Sequence, residues 1–246
     1  MEIAPPFGYT EVVPFLKSHK VRLLAPGEVA PFAGQSNAIP ISHAEFQPAA
    51  RDYPVVFTSS DGGKSFAAVA VLGVSAGENL FYGNGAWAQE SYVPAYARRY
   101  PFCMARVRID DVERKDRLIC VEKPRLDEAG EALFDAAGEP SEKWRTLERL
   151  LTEYEADLER SRHMCALLAE YGLLEAFTMQ ATPKSGNTVQ ITGMHRVAEK
   201  KLEDLDAAQL KILLGKGTMA RIYMHLLSLQ NFARLVERRA GRSARS

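Results

Sequence analysis

Cysteine is scarce in this chain and never clustered. Of 246 residues only Cys103, Cys120 and Cys165 are cysteines, an odd number at wide spacing among apolar neighbours. That excludes a disulfide framework and a paired zinc-ligand motif, and leaves buried thiols as the expectation. Histidine is also sparse: His19, His43, His163, His195 and His225 include no i, i+4 pair, so no metal site is expected. Net charge is missing too. Thirty-one basic side chains balance thirty-one acidic ones, which removes a whole-molecule drive toward nucleic acid. No apolar run reaches transmembrane length. The opening MEIAPPFGYTEVVPF lacks the basic and apolar regions of a secretory signal, so a cytoplasmic protein with no membrane span is expected. GxSxG, GxxxxGK[ST] and HExxH do not occur, and no catalytic residue or cofactor is assigned.

What is present fits an ordinary globular chain, 46% hydrophobic and 25% charged. YPVVFTSS, DGGK and SFAAVAVLGV (53–74) read as a hairpin whose strands are apolar on both faces. ENLFYG, CMARVRID and RLICVEKP continue the strand-rich region, the last two joined by a charged turn at 111–116, and AFTMQATPKSGNTVQITGM is a second hairpin turning at KSGN. Gly83 and Gly85 suit a tight turn better than a phosphate loop. Ser141 can cap a long helix that Gly172 closes. Its stripe of Trp144, Leu147, Leu151, Tyr154, Leu158, Cys165 and Leu168 faces a core, or offers an oligomer a seam over 144–168. Asp206 can cap a short helix, and one final helix is expected from Met219 to Arg238. The class is therefore α+β, with an antiparallel, strand-rich N-terminal two-thirds packed with the central helix and C-terminal helices. A single domain over 1–246 is expected, with any subdivision near 125–140 and a flexible basic tail at 240–246.

The candidate site is YVPAYARRYPF at 92–102, with four aromatic rings, two prolines and the pair Arg98 and Arg99. Adjacent side chains on a single helical turn diverge, so one arginine should reach solvent or an acid. The other should sit among Tyr92, Tyr96, Tyr100 and Trp87. Aromatic walls around a guanidinium suit either a loop locked onto a carboxylate, such as Glu78 or Glu90, or a pocket for an anionic ligand. The candidate ligand-binding residues are Trp87, Glu90, Tyr92, Tyr96, Arg98, Arg99 and Tyr100. His225 and Asn231, which share a helical face with Ser228, form a candidate polar edge. Three functions remain: a module binding a small anionic ligand or a peptide or protein partner, an enzyme acting on a peptide or small acid through Glu90, Arg98, His225 and Asn231, and a structural assembly protein.

YPVVF (53–57), GxxxGENLF (73–81), Trp87, YVPAYARRYPF, LFDAAGEPS (133–141), ITGMHRVAEKKLEDL (191–205) and HLLSLQNFARL (225–235) together resemble the SapC family of bacterial, S-layer-related proteins. The resemblance implies an accessory role in the cytoplasm and carries over no catalytic residue. The neutral composition departs from an S-layer lattice protein.

Overall fold

The computed structural model describes residues 2–83, 85–105, 107–109, 112–113, 117–181 and 188–243. Of the charged turn expected at 111–116 only Val112–Glu113 is described, and the KSGN turn lies outside the described residues. The hairpin read at 53–74 forms: Val55–Thr58 pairs antiparallel with Ala67–Val71, Val55 opposite Ala70. These strands are the heart of a five-stranded antiparallel sheet in the order Leu174–Ala181, Val189–Val197, Val55–Thr58, Ala67–Val71, Ala38–Pro40. Val55, Val56, Phe57, Ala68, Val69 and Ala70 are all buried, as expected of strands covered on both faces. Phe102–Ala105, Leu118–Glu122 and Val12–Pro14 build a second, three-stranded sheet. ENLFYG yields only a two-residue strand, Tyr82–Gly83, turned back on Ala86–Trp87.

Helix α1 (Phe46–Asp52) leads into the central hairpin, and the one-turn helix α2 (Ala95–Arg98) precedes the second sheet. Helix α3 (Glu142–Glu170) starts where Ser141 accepts the Trp144 N–H. It ends before Gly172, whose φ of 65° is the left-handed closure that glycine allows. Trp144 and Leu151 pack in a small core with Val21, Phe102, Val121 and Leu133, while Tyr154, Cys165 and Leu168 join the main core. The apolar stripe that would have served a partner helix is thus occupied within the fold.

Helix α4 (Ala207–Gly215) carries the expected cap, Asp206, in a box with Gln209. The single helix expected beyond it is two, α5 (Thr218–Ser228) and α6 (Asn231–Ser243). Polar side chains at the break bind the central strand and its approach. Ser228 Oγ accepts the Val55 N–H at 2.9 Å, and Asn231 Nδ2 donates to the carbonyls of Ala50 and Tyr53 at 2.8 and 3.1 Å. Residues 240–243, read as part of a tail, belong to α6, and Arg242 donates to the carbonyls of Asn79 and Tyr82.

His225 acts as a wedge in the main sheet. Val55–Thr58 and Val189–Val197 pair at Thr58 with Met194 and at Phe57 with His195, and the pairing stops there. Two residues further on, the imidazole bridges the gap: Nδ1 lies 2.7 Å from the Val55 carbonyl and Nε2 accepts the Val197 N–H at 3.0 Å. That pattern requires the neutral ring with its proton on Nδ1. Burial pushes its pKa from 6.5 down to about 4. Because the folded pKa lies below the unfolded one, its stabilisation is complete above about pH 6.5 and disappears as pH falls toward 4. Wild type should lose on the order of 3 kcal/mol more than His225→Gln across that window. Urea unfolding of both proteins at a series of pH values checks this; parallel curves would show that the ring does not titrate in this way.

Candidate functional site

Pro94 ends the extended approach and α2 makes one turn, leaving Arg98 and Arg99 about 100° apart around the helix axis. Arg99 turns inward and is 3% exposed. Its guanidinium carbon lies 4.2 Å from the ring centre of Tyr96, 4.9 Å from that of Tyr154 and 5.8 Å from that of Tyr9. The Tyr9 and Tyr96 hydroxyls donate away from it, to the carbonyls of Phe102 (2.7 Å) and Phe7 (2.6 Å), so the arginine meets ring faces. Burial raises the pKa of all three phenols, which keeps them neutral. The counter-charge is Glu155 on α3, 3.7 Å from Nη1 and shared with Arg117. Neither Glu78 nor Glu90 fills that role. Arg99 Nε and the Tyr154 hydroxyl have no hydrogen-bond partner among the described residues.

Arg98 turns outward and is exposed. Nε donates to the Val93 carbonyl at 3.0 Å and Nη2 to the Tyr92 hydroxyl at 3.1 Å. That hydroxyl in turn donates to Glu45 Oε1 at 2.9 Å, an oxygen that also accepts the Ala95 N–H at 2.6 Å. Glu45 Oε2 accepts the Ser42 N–H at 2.8 Å. One buried carboxylate therefore anchors the start of α2 and, through Tyr92, the guanidinium of Arg98. Tyr92 is engaged at every polar group: its N–H binds Asp52 at 2.8 Å and its carbonyl accepts the Tyr53 hydroxyl. Tyr53 also receives the Trp87 indole N–H at 3.0 Å.

Arg98 forms part of the wall of a cleft of about 520 Å³, a volume usual for small-molecule sites. Trp87, Tyr100, Leu23, Val29 and Leu147 give it an apolar lining. Of the seven residues expected at a site, Trp87, Arg98 and Tyr100 line this cleft and Tyr92 holds Arg98 from behind. Tyr96 and Arg99 face the interior, and Glu90 is exposed and outside the lining. Arg99 is thus ringed by Tyr9, Tyr96 and Tyr154, not by the set of Tyr92, Tyr96, Tyr100 and Trp87 expected from the sequence; Tyr100 instead lies beneath Arg125, 5.7 Å from its centre. His225 and Asn231 do not converge on Arg98, because both are committed to backbone groups of the central strand and its approach. Glu45, Tyr9, Tyr154 and Leu147 are site residues that the sequence does not single out as such. Tyr154 and Leu147 stand in it only as members of the α3 stripe, and Ser42 with Glu45 carries a local signal, the capping-box spacing that the structure forms.

A family model for SapC matches residues 16–235. The chain belongs to the SapC family. No curated protein and no solved structure matches it. The matched span holds nearly all of this architecture, and several resembling motifs have a local physical reason in it. In the GxxxGENLF run of this SapC chain, a Cβ on Gly73 would lie 1.9 Å from the Glu78 carbonyl oxygen. Asn79 is buried with its amide on the Ala33 carbonyl and its oxygen on the Phe81 N–H. This segment is a fold lock. Among the described residues no group of three or more metal-ligating side chains comes together, and no helix is long and apolar enough to cross a membrane.

Removing Arg99 leaves Glu155 facing fewer positive charges and opens a hole between three rings. Arg99→Ala should cost about 3 kcal/mol, a fall in Tm on the order of 10 °C. Arg99→Lys should recover less than half, since an ammonium cannot present a flat face to Tyr96. Thermal unfolding of the three proteins measures both; an unchanged Tm in Arg99→Ala would mean that the enclosure contributes nothing.

Proposed function

We propose that this SapC-family chain is a binding module whose cleft takes a small ligand with an apolar body and an anionic group, the anion resting on Arg98. One observation carries the reading. Arg98 stands at an apolar cleft, its side chain fixed by Val93 and Tyr92, and among the described residues no carboxylate lies within 4.0 Å of it. A guanidinium held by neutral acceptors keeps its full charge for a guest, and apolar walls strengthen that attraction by excluding water. In this reading the protein works as an accessory in the cytoplasm, the role that the family likeness implies. Catalysis is disfavoured because His225 and Asn231, its candidate residues, hold backbone groups far along the chain.

A protein partner is the second reading. Ile212 and Leu214 on α4, with Tyr223 and Leu227 on α5, leave large apolar side chains in water, Leu214 and Leu227 by about two-thirds. An S-layer role would need far larger contacts, and the α3 stripe does not provide them.

Calorimetric titration with aliphatic and aromatic carboxylates should detect binding that Arg98→Gln weakens by about tenfold or more without changing Tm. Tyr92→Phe, which frees Arg98 from one anchor, should weaken it by a few-fold. Equal affinity in wild type and Arg98→Gln would place the anion elsewhere.

A further inference from the structure

Two charges of opposite sign on this cleft have no opposite charge of their own among the described residues. Arg98 is one. Glu28 is the other: it lines the same cleft, and its Oε2 accepts the Ala25 N–H at 2.8 Å across the turn of residues 25–28. Among the described residues no cation lies within 4.0 Å of it. The third charged residue of the lining, Lys143, differs, because its Nζ sits 2.6 Å from Glu131.

A ligand carrying only an anion would satisfy Arg98 and strip water from Glu28 with nothing in exchange, an unfavourable step. A ligand carrying both charges satisfies both groups. We propose that the cleft selects a zwitterion, a free α-amino acid with an apolar side chain or a short peptide ending in one. Its carboxylate lies on Arg98, its ammonium on Glu28 and its side chain against Trp87 and Leu147. Carboxylates without an ammonium, such as simple fatty acids and keto acids, bind about tenfold more weakly, and inorganic phosphate also lacks the apolar body. The inference rests on the reading of the cleft as an anion site and names its substrate class.

The test uses L-leucine, L-phenylalanine and their glycyl dipeptides, with the N-acetyl and amide forms of each amino acid, titrated into the full-length protein. At least one free amino acid or dipeptide should bind, and blocking either end should weaken binding about tenfold or more. Glu28→Gln should erase the penalty on the N-acetyl form, and Arg98→Gln the penalty on the amide. Both side chains are exposed, so an unchanged Tm is expected of each variant and confirms that it folds. Binding of the N-acetyl form as tightly as the free amino acid overturns the zwitterion and leaves the anion site standing. Failure of the free and N-acetyl forms alike to bind wild type overturns both.

Discussion

Taking one guanidinium out of water is the constraint around which this fold is arranged. An arginine cannot neutralise itself by losing its proton, so burying Arg99 requires favourable surroundings on every side. Those surroundings come from distant parts of the chain: Tyr9 near the N-terminus, Tyr96 from α2, and Tyr154 with Glu155 from adjacent positions on α3. Orienting three ring faces inward sends two of the hydroxyls outward, where they bind the Phe7 and Phe102 carbonyls. The cation therefore ties the N-terminal segment, the second sheet and the central helix to one point. Its electrostatics are modest in each contact; the number of elements that must be correct at once makes it restrictive.

The same constraint decides what Arg98 can do. With Arg99 pointing inward on a single helical turn, its neighbour must point about 100° away, toward the cleft. Glu45 then governs how firmly it stands there. That carboxylate sits beneath the turn, accepts the Ala95 N–H, and reaches Arg98 through the Tyr92 hydroxyl. Tyr53 links Trp87, another lining residue, to the same node, since its hydroxyl joins the Trp87 indole to the Tyr92 backbone. The wall and the charge of the cleft are thus set by one connected hydrogen-bond system, whose members lie up to fifty-three positions apart in sequence, from Glu45 to Arg98.

How much of this could be read in advance follows from the range of the forces involved. The 53–74 hairpin, the Ser141 and Asp206 caps, and the α3 stripe are local patterns of periodicity and turn chemistry, and all were legible. The divergence of Arg98 and Arg99 was legible too, because helical geometry dictates it. The partners of Arg99 were not. Nothing in YVPAYARRYPF points to Tyr9, Tyr154 or Glu155: the last two reach it only when α3 packs across both sheets, and Tyr9 only when the N-terminal segment folds back. The break between α5 and α6 was hidden for a similar reason: Leu226, Leu229 and Phe232 keep helical spacing through it, while Ser228 and Asn231 answer to backbone groups at residues 50–55. His225 illustrates the limit most clearly. As a lone histidine on a helix it could have been a ligand-facing base, and only the place where two strands part shows it to be a bridge between them.

That distinction separates recognition from chemistry in this molecule. A general base needs an available lone pair and a pKa near working pH, and His225 has neither, since both ring nitrogens are engaged and burial holds its pKa near 4. Arg98 and Glu28 are the reverse case. They carry opposite charges, are exposed and line one apolar hollow. Opposite charges held at fixed places discriminate by complementarity. Selection of a guest by its charges and its apolar body is what that pairing does well.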